Sequence, residues 1–488
     1  MMLNRAIRHI RQRHGGMAKA SRLSAWLLVG GFLLTGCSAD TPDSPANGEA
    51  TEVTLSLNVA VADNGQKLTR ATIPADSDNP QDGDYQEPAN NAEKINTLRV
   101  IIVAADGTVE HNRVVNCDQD GNPVNDNLRF LVKTETQDGS GNYPKKDIYL
   151  FANERAANAA IYESLKSLIS NDPDNLNPDP TQHGGMPFDL IRPGHRFRAD
   201  LVNGIIYGRE AGQPLIAVTA DKSDTGVVTI PAKADQYIPM SEHFQLEVSP
   251  KTAKPAQAPG SGGNLSRLEQ TANLFVTRAA TKFTFRAKLG QDFPAGYGMR
   301  ITSITVSQIS DKEYLLPQAT VYNPTKDFAI NPANTYEGLT ITGYATPAGA
   351  GNSGYTFTLP AEGLVASAYA ATAPAKYSPL EYLPETGILS SGAFTVTVTA
   401  DLTAADGSVS PIQANKTFGP ETLTGMQQFD SRYGMPRNTH VYVDFEFRNY
   451  SELNAAVTLV PYIGINLNPP FGFDNLLEGD HNPPPTDW

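Results

Sequence analysis

Histidines and cysteines are the side chains of this chain that could support catalysis or metal binding, and their spacing favours neither. Six histidines follow the basic N-terminal segment, at positions 111, 183, 195, 243, 440 and 481. No two of them have the HxxxH or HExxH spacing of a zinc site, and no GxSxG elbow accompanies them. Cys117 is preceded by Asn116 and followed by Asp118, whose carboxylate disfavours a reactive thiolate. The residue pattern therefore predicts no enzymatic activity, no metal and no cofactor.

Two short segments contain residue types that nucleotide or cation sites also use. Gly349-Ala350-Gly351-Asn352-Ser353-Gly354 matches GxGxxG, but a strand pattern follows it where a dinucleotide site needs a helix. Asp118-Gln119-Asp120-Gly121-Asn122, with Asn125 and Asp126 nearby, clusters oxygen ligands as a calcium loop does. Its glycine comes too early for an EF-hand, and no glutamate follows at the ligand position. We interpret both segments as turns.

Cys37 is the residue with the clearest chemistry. The 36 residues before it carry six basic and no acidic side chains, with an apolar stretch at 23–34 that is too short to span a bilayer as a stable helix. This stretch ends in Leu34-Thr35-Gly36-Cys37, which resembles the lipobox of bacterial lipoproteins. Gly36 suits the signal peptidase, and the thiol can form a thioether with diacylglycerol. Residues 1–36 are thus predicted to be a lipoprotein signal peptide, with Met17 as an alternative start, and Cys37 to carry diacylglycerol and palmitate.

Removing residues 1–36 would change the formal net charge from −14 to −20. A surface this acidic repels nucleic acid and anionic headgroups, so we expect membrane attachment to depend on the lipid on Cys37. Once Cys37 is acylated, Cys117 is the only thiol left, which excludes an intrachain disulfide and a cysteine-based zinc cluster.

The rest of the chain is patterned for strands. With 36 Pro and 40 Gly in 488 residues, the composition favours short strands joined by turns. Alternation is clearest at 52–61, where every second residue is apolar: Val53, Leu55, Leu57, Val59 and Val61. Similar runs occupy residues 95–104, 109–115, 128–133, 147–152, 283–289, 394–398 and 441–447. We therefore expect an all-β protein of sandwich strands, with a minor helix at 154–170.

The last alternating segment, residues 456–467, contains a proline in its middle. The alternating apolar residues of this segment are Val457, Leu459, Ile463, Ile465 and Leu467. Because Pro461 cannot donate to a ladder, this segment is an edge strand, a bulge, or two strands joined at a break. Upstream, residues 38–50 are typical of a flexible tether, and the stretch at 249–267, rich in Pro, Gly, Ala and Ser, is typical of a domain boundary.

Short motifs distributed over almost the whole chain resemble the Bacteroidales fimbrillin family, the type V pilins. Besides the lipobox, the matching pieces are Leu68-Thr69-Arg70-Ala71, Lys94-Ile95-Asn96-Thr97-Leu98-Arg99-Val100, Ile238-Pro239-Met240-Ser241-Glu242, Arg278-Ala279-Ala280-Thr281-Lys282-Phe283, Tyr382-Leu383-Pro384-Glu385, Arg437-Asn438-Thr439-His440-Val441-Tyr442, Val460-Pro461-Tyr462 and Asn468-Pro469-Pro470-Phe471-Gly472.

The resemblance implies two tandem transthyretin-like Greek-key β-sandwich domains, at residues 71–255 and 256–488, the second ending in a C-terminal strand and tail. It also implies export to the outer membrane as a lipoprotein. An Arg-directed protease then cuts between Arg70 and Ala71, removing residues 37–70, which hold the tether and the first strand. A cut after Lys67 is an alternative. In that family the vacated groove is filled by a strand of a neighbouring subunit, and a fibre grows.

The leading hypothesis is therefore a structural subunit of a cell-surface fimbria that supports adhesion, with other fimbrial subunits as its partners. The strand whose removal opens the predicted acceptor groove is residues 53–61, and the predicted donor strand is residues 457–467. The alternative is a monomeric, surface-anchored lipoprotein that binds a glycan or peptide and keeps its first strand. The sequence leaves open the adhesion target, retention of the lipid, and a shaft, tip or anchor position.

Overall fold

In the computed structural model the described residues are 52–61, 91–117, 128–134, 137–157, 160–165, 187–218, 236–250, 254–255, 268–317, 347, 349–386, 394–418, 423–424, 437–449 and 453–461. Short strands dominate them, as the composition predicts. The strands are β1 (Glu52–Val61), β2 (Thr97–Val103), β3 (Val109–Asn116), β4 (Arg129–Lys133), β5 (Lys145–Ala152), β6 (Ile206–Gly208), β7 (Ile216–Ala217), β8 (Met240–Glu247), β9 (Lys254–Pro255), β10 (Leu268–Arg278), β11 (Thr281–Leu289), β12 (Gly298–Ser310), β13 (Lys312–Tyr314), β14 (Asn352–Phe357), β15 (Leu364–Val365), β16 (Ala375–Tyr377), β17 (Glu381–Tyr382), β18 (Phe394–Thr403), β19 (Val409–Phe418), β20 (Leu423–Thr424), β21 (Thr439–Phe447) and β22 (Leu453–Pro461).

The first sheet contains eight strands in the order β3-β2-β5-β8-β10-β1-β4, with β9 also paired to β10. β10 pairs with β8 only at Thr277 and Arg278, whereas its preceding residues pair with β1. The apolar faces of β1, β4 and β10 pack against those of β2 and β5 in one core, so the sheet closes on itself as two layers. We call this unit the first sandwich.

The second unit, which we call the second sandwich, is built from two five-stranded sheets. One has the order β16-β11-β21-β22-β20, and the other has the order β14-β12-β18-β19 with β15 paired to β12. Their inner faces share a core that includes Phe283 and Phe285 of β11, Ile304 of β12, Val398 of β18 and Val443 of β21. The prediction of an all-β sandwich protein is therefore confirmed.

The two sandwiches use their strands in the same chain order. The layer β3-β2-β5-β8 of the first corresponds to β14-β12-β18-β19 of the second. In the facing layers, β1 and β11 each lie parallel to a later strand, β10 and β21 respectively. The transthyretin-like Greek-key assignment stays a prediction, as do its domain limits. Residues 268–278, placed in the second domain by those limits, form β10 of the first sheet, and the chain changes sheet at Ala279-Ala280.

Helical structure is short. The predicted helix at 154–170 contains a 3-10 turn, Glu154–Ala157, and helical residues at 160–165, with the rest outside the described residues. Further 3-10 turns are Asn91–Glu93 and Pro187–Leu190, and a short α-helix is Ala199–Asn203. Among the described helices, none has the length and apolar character needed to cross a bilayer. The GxGxxG match begins at a turn at Gly349, and its last three residues, Asn352 to Gly354, already belong to strand β14, so it leads into a strand and not into a helix.

Candidate functional site

The first strand lies inside its layer rather than at an edge. Along its length β1 runs parallel to β10, from Val53 opposite Leu268 to Val61 opposite Val276. On its other side, residues Glu52 to Ser56 run antiparallel to β4. A strand near the N terminus of the described chain thus fills a place between two strands that come later in the sequence. We call this place the β1 slot.

The inward face of β1 is closed off from water. Its five alternating apolar side chains, Val53, Leu55, Leu57, Val59 and Val61, are at most 2 % exposed. They belong to the core of the first sandwich, with residues of β2, β5 and β10. The apolar face predicted from the sequence is therefore confirmed as core.

The outward face of β1 is polar and also largely covered. Ser56 is 5 % exposed and Asn58 is 8 % exposed. The Asn58 side-chain amide donates to the Asn273 side-chain oxygen of β10 at 2.7 Å. These two residues face each other in the strand register, so the hydrogen bond is a side-chain rung between β1 and β10.

An ion pair passes over the same face. The Arg129 guanidinium of β4 lies 3.2 Å from the Glu269 carboxylate of β10. Arg129 is opposite Ser56 on one side of β1, and Glu269 is opposite Thr54 on the other. Because the two charged residues belong to the strands on either side of β1, their side chains span it. The small Ser56 side chain fits beneath this span.

The outer edge of β4 is held by two side chains of β3. His111 Nε2 donates to the Leu131 carbonyl at 2.7 Å, and Arg113 donates to the Arg129 carbonyl at 3.2 Å. The Arg113 guanidinium also lies over the Phe130 ring, 4.4 Å from its centroid. These contacts attach β4 to β3 without involving β1. They also occupy carbonyl groups that another strand would need for pairing at that edge.

The predicted donor segment is described only in part. β22 is described as far as Pro461, which lies opposite Thr439 of β21, and the residues after it lie outside the described part of the chain. Val457 and Leu459 pair with residues of β21 in their own sheet. Ile463, Ile465 and Leu467 lie outside the described residues. The donor role of this segment stays a prediction.

Most motifs that carry the fimbrillin resemblance meet at the junction of the two sandwiches instead of at the β1 slot. Ala279 N–H donates to the Pro239 carbonyl, Asn438 N–H to the Ala280 carbonyl, and Thr281 exchanges two backbone hydrogen bonds with Leu383. The motifs therefore mark the residues that join the two sandwiches.

This junction is rich in buried charge. Lys282 lies 3.0 Å from the Glu93 carboxylate, which also accepts from the Tyr382 hydroxyl at 2.8 Å. Arg437 is paired with Glu385 at 2.8 Å, and it also donates to the Leu315 carbonyl at 2.9 Å. Residues on both sides of Ala279-Ala280 are thus tied by charge-assisted hydrogen bonds that are shielded from water.

Burial at the junction shifts the pKa values of two side chains, Glu313 and His440. Burial raises the pKa of the Glu313 carboxyl to about 8, although Arg437 acts in the opposite direction. Burial, together with the nearby Lys282 charge, lowers the pKa of His440 well below 6.5. His440 instead forms a 2.8 Å hydrogen bond with the Thr284 hydroxyl as a neutral ring. Both groups are thereby kept uncharged near neutral pH.

The other predicted site residues do not come together. Cys37, Arg70 and Ala71 lie outside the described residues, as do the Asp118 to Asp126 loop, His183 and His481. His243 is bound to Asp147 at 2.8 Å on the outer side of β8, far along the chain from His111 and His440. Within the described part of the chain, no group of three His, Cys, Asp or Glu side chains could hold a metal ion.

Comparison with known proteins gives matches among solved structures alone. No family model matches the chain, and no curated protein matches it. One similar structure is a candidate cell adhesion protein from Parabacteroides distasonis, with 12 % identity and a TM-score of 0.40, covering 83 % of this chain and 97 % of the other. Another is the tip fimbrial protein Mfa3 from Porphyromonas gingivalis, with 10 % identity and a TM-score of 0.36, covering 84 % and 100 %. A fimbrial assembly protein from Parabacteroides distasonis has 9 % identity and a TM-score of 0.34, covering 84 % and 99 %.

Proposed function

We propose that this chain is a structural subunit of a cell-surface fimbria that assembles by strand replacement in the β1 slot. The observation that supports this proposal most directly is the position of β1. It is the first described strand, it pairs on both sides, and all five of its apolar side chains are in the core. A strand at the start of the chain can be cut away without interrupting the remainder of the fold, and its loss leaves a place that only another strand fills.

The loss of β1 removes buried apolar contacts and backbone pairing, so it is energetically favourable for another strand to fill the β1 slot. Each apolar side chain of β1 contributes about 1.5 to 3 kcal/mol when fully buried. β10 and β4 would also lose backbone partners, which creates a template for another strand. A strand donated by the next subunit restores both contributions. Because donor and slot are different surfaces, the contact does not close on itself and a polymer grows.

The remaining steps of the proposed pathway come from the sequence. The chain would be exported as a lipoprotein, held at the outer membrane by the lipid on Cys37, and cut by an Arg-directed protease after Arg70. The product would join a cell-surface fimbrium that supports adhesion. Its partners would be other subunits of the same or a related kind.

Uncleavable and cleavable forms of the protein test this proposal. Arg70→Ala combined with Lys67→Ala should leave a monomer after limited trypsin treatment, whereas the treated wild type should form fibres. Size-exclusion chromatography and electron microscopy distinguish these states. Fibres from the uncleavable form would contradict the proposal. A cut protein that releases residues 37–70 and stays monomeric would favour the alternative, a monomeric binding lipoprotein.

A further inference from the structure

The outer side of the β14-β12-β18-β19 sheet is built from short, uncharged side chains. On its inner side, residues such as Ile304 and Val398 belong to the core of the second sandwich. The residues that alternate with them point outwards. In the register, Thr305 of β12 lies opposite Thr356 of β14 on one side and opposite Thr397 of β18 on the other. We call the outward residues of these three strands the hydroxyl face: Ser303, Thr305, Ser307, Thr356, Thr395, Thr397 and Thr399.

The rows of the hydroxyl face continue into the last strand of the sheet. The positions that β19 adds to them are Gln413 opposite Thr399, Asn415 opposite Thr397, and Thr417 opposite Thr395. Four strands about 4.8 Å apart and three rows about 6.8 Å apart cover roughly 19 by 20 Å, or about 400 Å². At one end the ion pair of Arg300 with Asp401, 2.6 Å apart, borders these rows.

The absence of charge from these rows is unusual for this chain. Threonine is a common strand residue, so strand formation explains its presence. It does not explain why no Asp, Glu, Lys or Arg occupies these positions, since soluble proteins typically place charges at about a quarter to a third of surface positions. The chain has a formal net charge of −14, so its other surfaces repel anions. The rows themselves offer no carboxylate to a cation. An uncharged partner fits this surface best.

The hydroxyl groups of the face are held in place and can still adapt to a ligand. The Thr305 and Thr356 hydroxyls lie 2.7 Å apart, and either one can be the donor. A threonine hydroxyl both donates and accepts, so this pair can reverse its direction to suit a partner. Because β-branched side chains are stiff about their first torsion angle, they lose little rotamer freedom when a ligand binds.

The matching layer of the first sandwich has a different outer side. There, Ile101 of β2 and Phe151 of β5 pack against Ile161 and Phe188 of the helical segments in an apolar core. On the hydroxyl face, by contrast, Thr356 is exposed and the residues of β12 and β18 are half-buried. The outer side of the second sandwich therefore has the composition of a surface that meets solvent or a polar ligand.

The size and composition of the face disfavour a protein partner. An area of about 400 Å² is half of the roughly 800 Å² that each protein contributes to a standard interface. The residues that dominate the energetics of protein interfaces are Trp, Tyr and Arg, and none of them occupies a position of the face. A linear polymer that lies across the strands needs less area. Sheet faces of other small β-barrels bind oligosaccharides in this way.

We propose that the hydroxyl face binds an uncharged polysaccharide. Threonine and serine hydroxyls exchange hydrogen bonds with the sugar hydroxyls, and threonine methyl groups contact the C–H groups of the sugar rings. This inference deepens the adhesive role within the proposed function, because a fibre repeats the face in every subunit and weak contacts add up by multivalency. The binding itself needs a single subunit only.

Electrophoresis in native gels that contain a polysaccharide tests the proposal. The uncharged probes are dextran, galactomannan, laminarin and hydroxyethyl cellulose, and the anionic probe is polygalacturonate. The full chain carries Cys37→Ser and is used uncut, so that no lipid is attached and no fibre grows. Its negative net charge carries it through the gel. At least one uncharged polysaccharide should retard its migration, and polygalacturonate should not.

Threonine-to-valine variants locate the binding site. Thr305→Val combined with Thr397→Val removes two hydroxyls but keeps the shape and the strand preference of the side chains. It should raise the apparent Kd for the retarding polysaccharide by about tenfold or more. Thr271→Val, at an exposed position of β10 in the first sandwich, is the matched control and should bind as the wild type does. Thr356→Val provides a second variant of the face, and equal melting temperatures verify that each variant is folded.

Several results would overturn the inference. One is wild-type migration that no uncharged polysaccharide changes, and another is retardation by polygalacturonate alone. Equal retardation of the wild type and the Thr305→Val, Thr397→Val variant would place the binding site elsewhere. A dimer of the wild type in sedimentation, absent from this variant, would show that a second copy of the chain occupies the face.

The proposed function fails by a different result. Uncut protein that binds the polysaccharide, together with cut protein that forms no fibres, contradicts strand replacement and keeps the hydroxyl face as a binding site. Fibres from cut protein, together with no retardation of the uncut protein, keep strand replacement and overturn the binding site.

Discussion

Glu313 illustrates what a single buried side chain does to stability. It is fully buried beside Tyr207 of β6 and Arg437, and one of its carboxylate oxygens accepts from the Glu385 N–H at 2.9 Å. Burial raises its pKa from 4.5 to about 8. The folded protein therefore binds a proton between these pH values that the unfolded chain does not hold.

We predict that Glu313 makes the free energy of unfolding depend on pH. Because the folded state binds the extra proton, the Glu313 contribution to the free energy of unfolding falls as pH rises from about 4.5 to about 8. Glu313→Gln, which stays neutral, should flatten that dependence and raise the stability at pH 8 relative to wild type. Urea unfolding at pH 5, 6.5 and 8 measures it. Parallel wild-type and variant curves would contradict the predicted titration.

Cys37 gives a second prediction at the residue scale. Cys37→Ser should abolish lipidation and membrane retention, because a hydroxyl is too poor a nucleophile to replace the thiol. Cells are labelled with radioactive palmitate, and the protein is followed in membrane and soluble fractions. Cys117→Ser serves as the control and should keep its label. Equal label on the Cys37→Ser variant would refute the prediction.

At the scale of the element, β4 shows how a slot can persist without its strand. Arg113 and His111 of β3 bond the carbonyls of Arg129 and Leu131, so β4 stays attached when β1 is absent. We predict that Arg113→Met with His111→Ala slows fibre growth after trypsin treatment, measured by light scattering. Arg300→Met, which breaks an exposed ion pair with Asp401, is the control. Growth of the double variant at the wild-type rate would show that β4 needs no such support.

The alternation of apolar and polar residues predicted where strands lie more readily than it predicted which strands pair. The alternation of β1, β11 and β21 predicted one apolar buried face for each, because side chains of a strand alternate between faces. The prediction that the other face meets water was wrong for β11, where Lys282 and Arg286 are also buried. β6, β7, β13 and β17 have two or three residues, which is too few to display a period. The neighbours of β1 were also hidden, since pairing across two hundred residues leaves no local signal. Asn58 occupied a polar phase that looks like a solvent position, and only the register revealed its contact with Asn273.

At the scale of the whole molecule, two apolar cores and a charged junction hold the fold together. Each core is built from the inner faces of two layers, and Cys117 is the one cysteine among the described residues. The junction adds buried ion pairs such as Arg437 with Glu385. Breaking one partner of such a pair leaves an uncompensated buried charge, which costs about 3 to 5 kcal/mol. The sandwiches are therefore joined by a connection that resists bending.

Stability should accordingly be independent of redox conditions. With no intrachain disulfide available to the mature chain, a reducing agent should leave the melting temperature unchanged. Differential scanning calorimetry with and without reductant measures this, and Cys117→Ser provides the matched control. A decrease of several degrees in the wild type alone would reveal an intermolecular bridge through Cys117.

The pairing of β1 with β10 also governs the order in which this protein acquires its structure. Asn58 and Asn273 are 215 residues apart in sequence, and strand partners so distant are slow to find each other because a long loop must close first. While the chain emerges from its N terminus, β1 has no β10 to join until residues 62–267 have followed. Until β10 has been made, β1 can pair only with β4, on one of its two sides. The side of β1 that faces β10 is therefore open for an interval in which a wrong strand could pair with it.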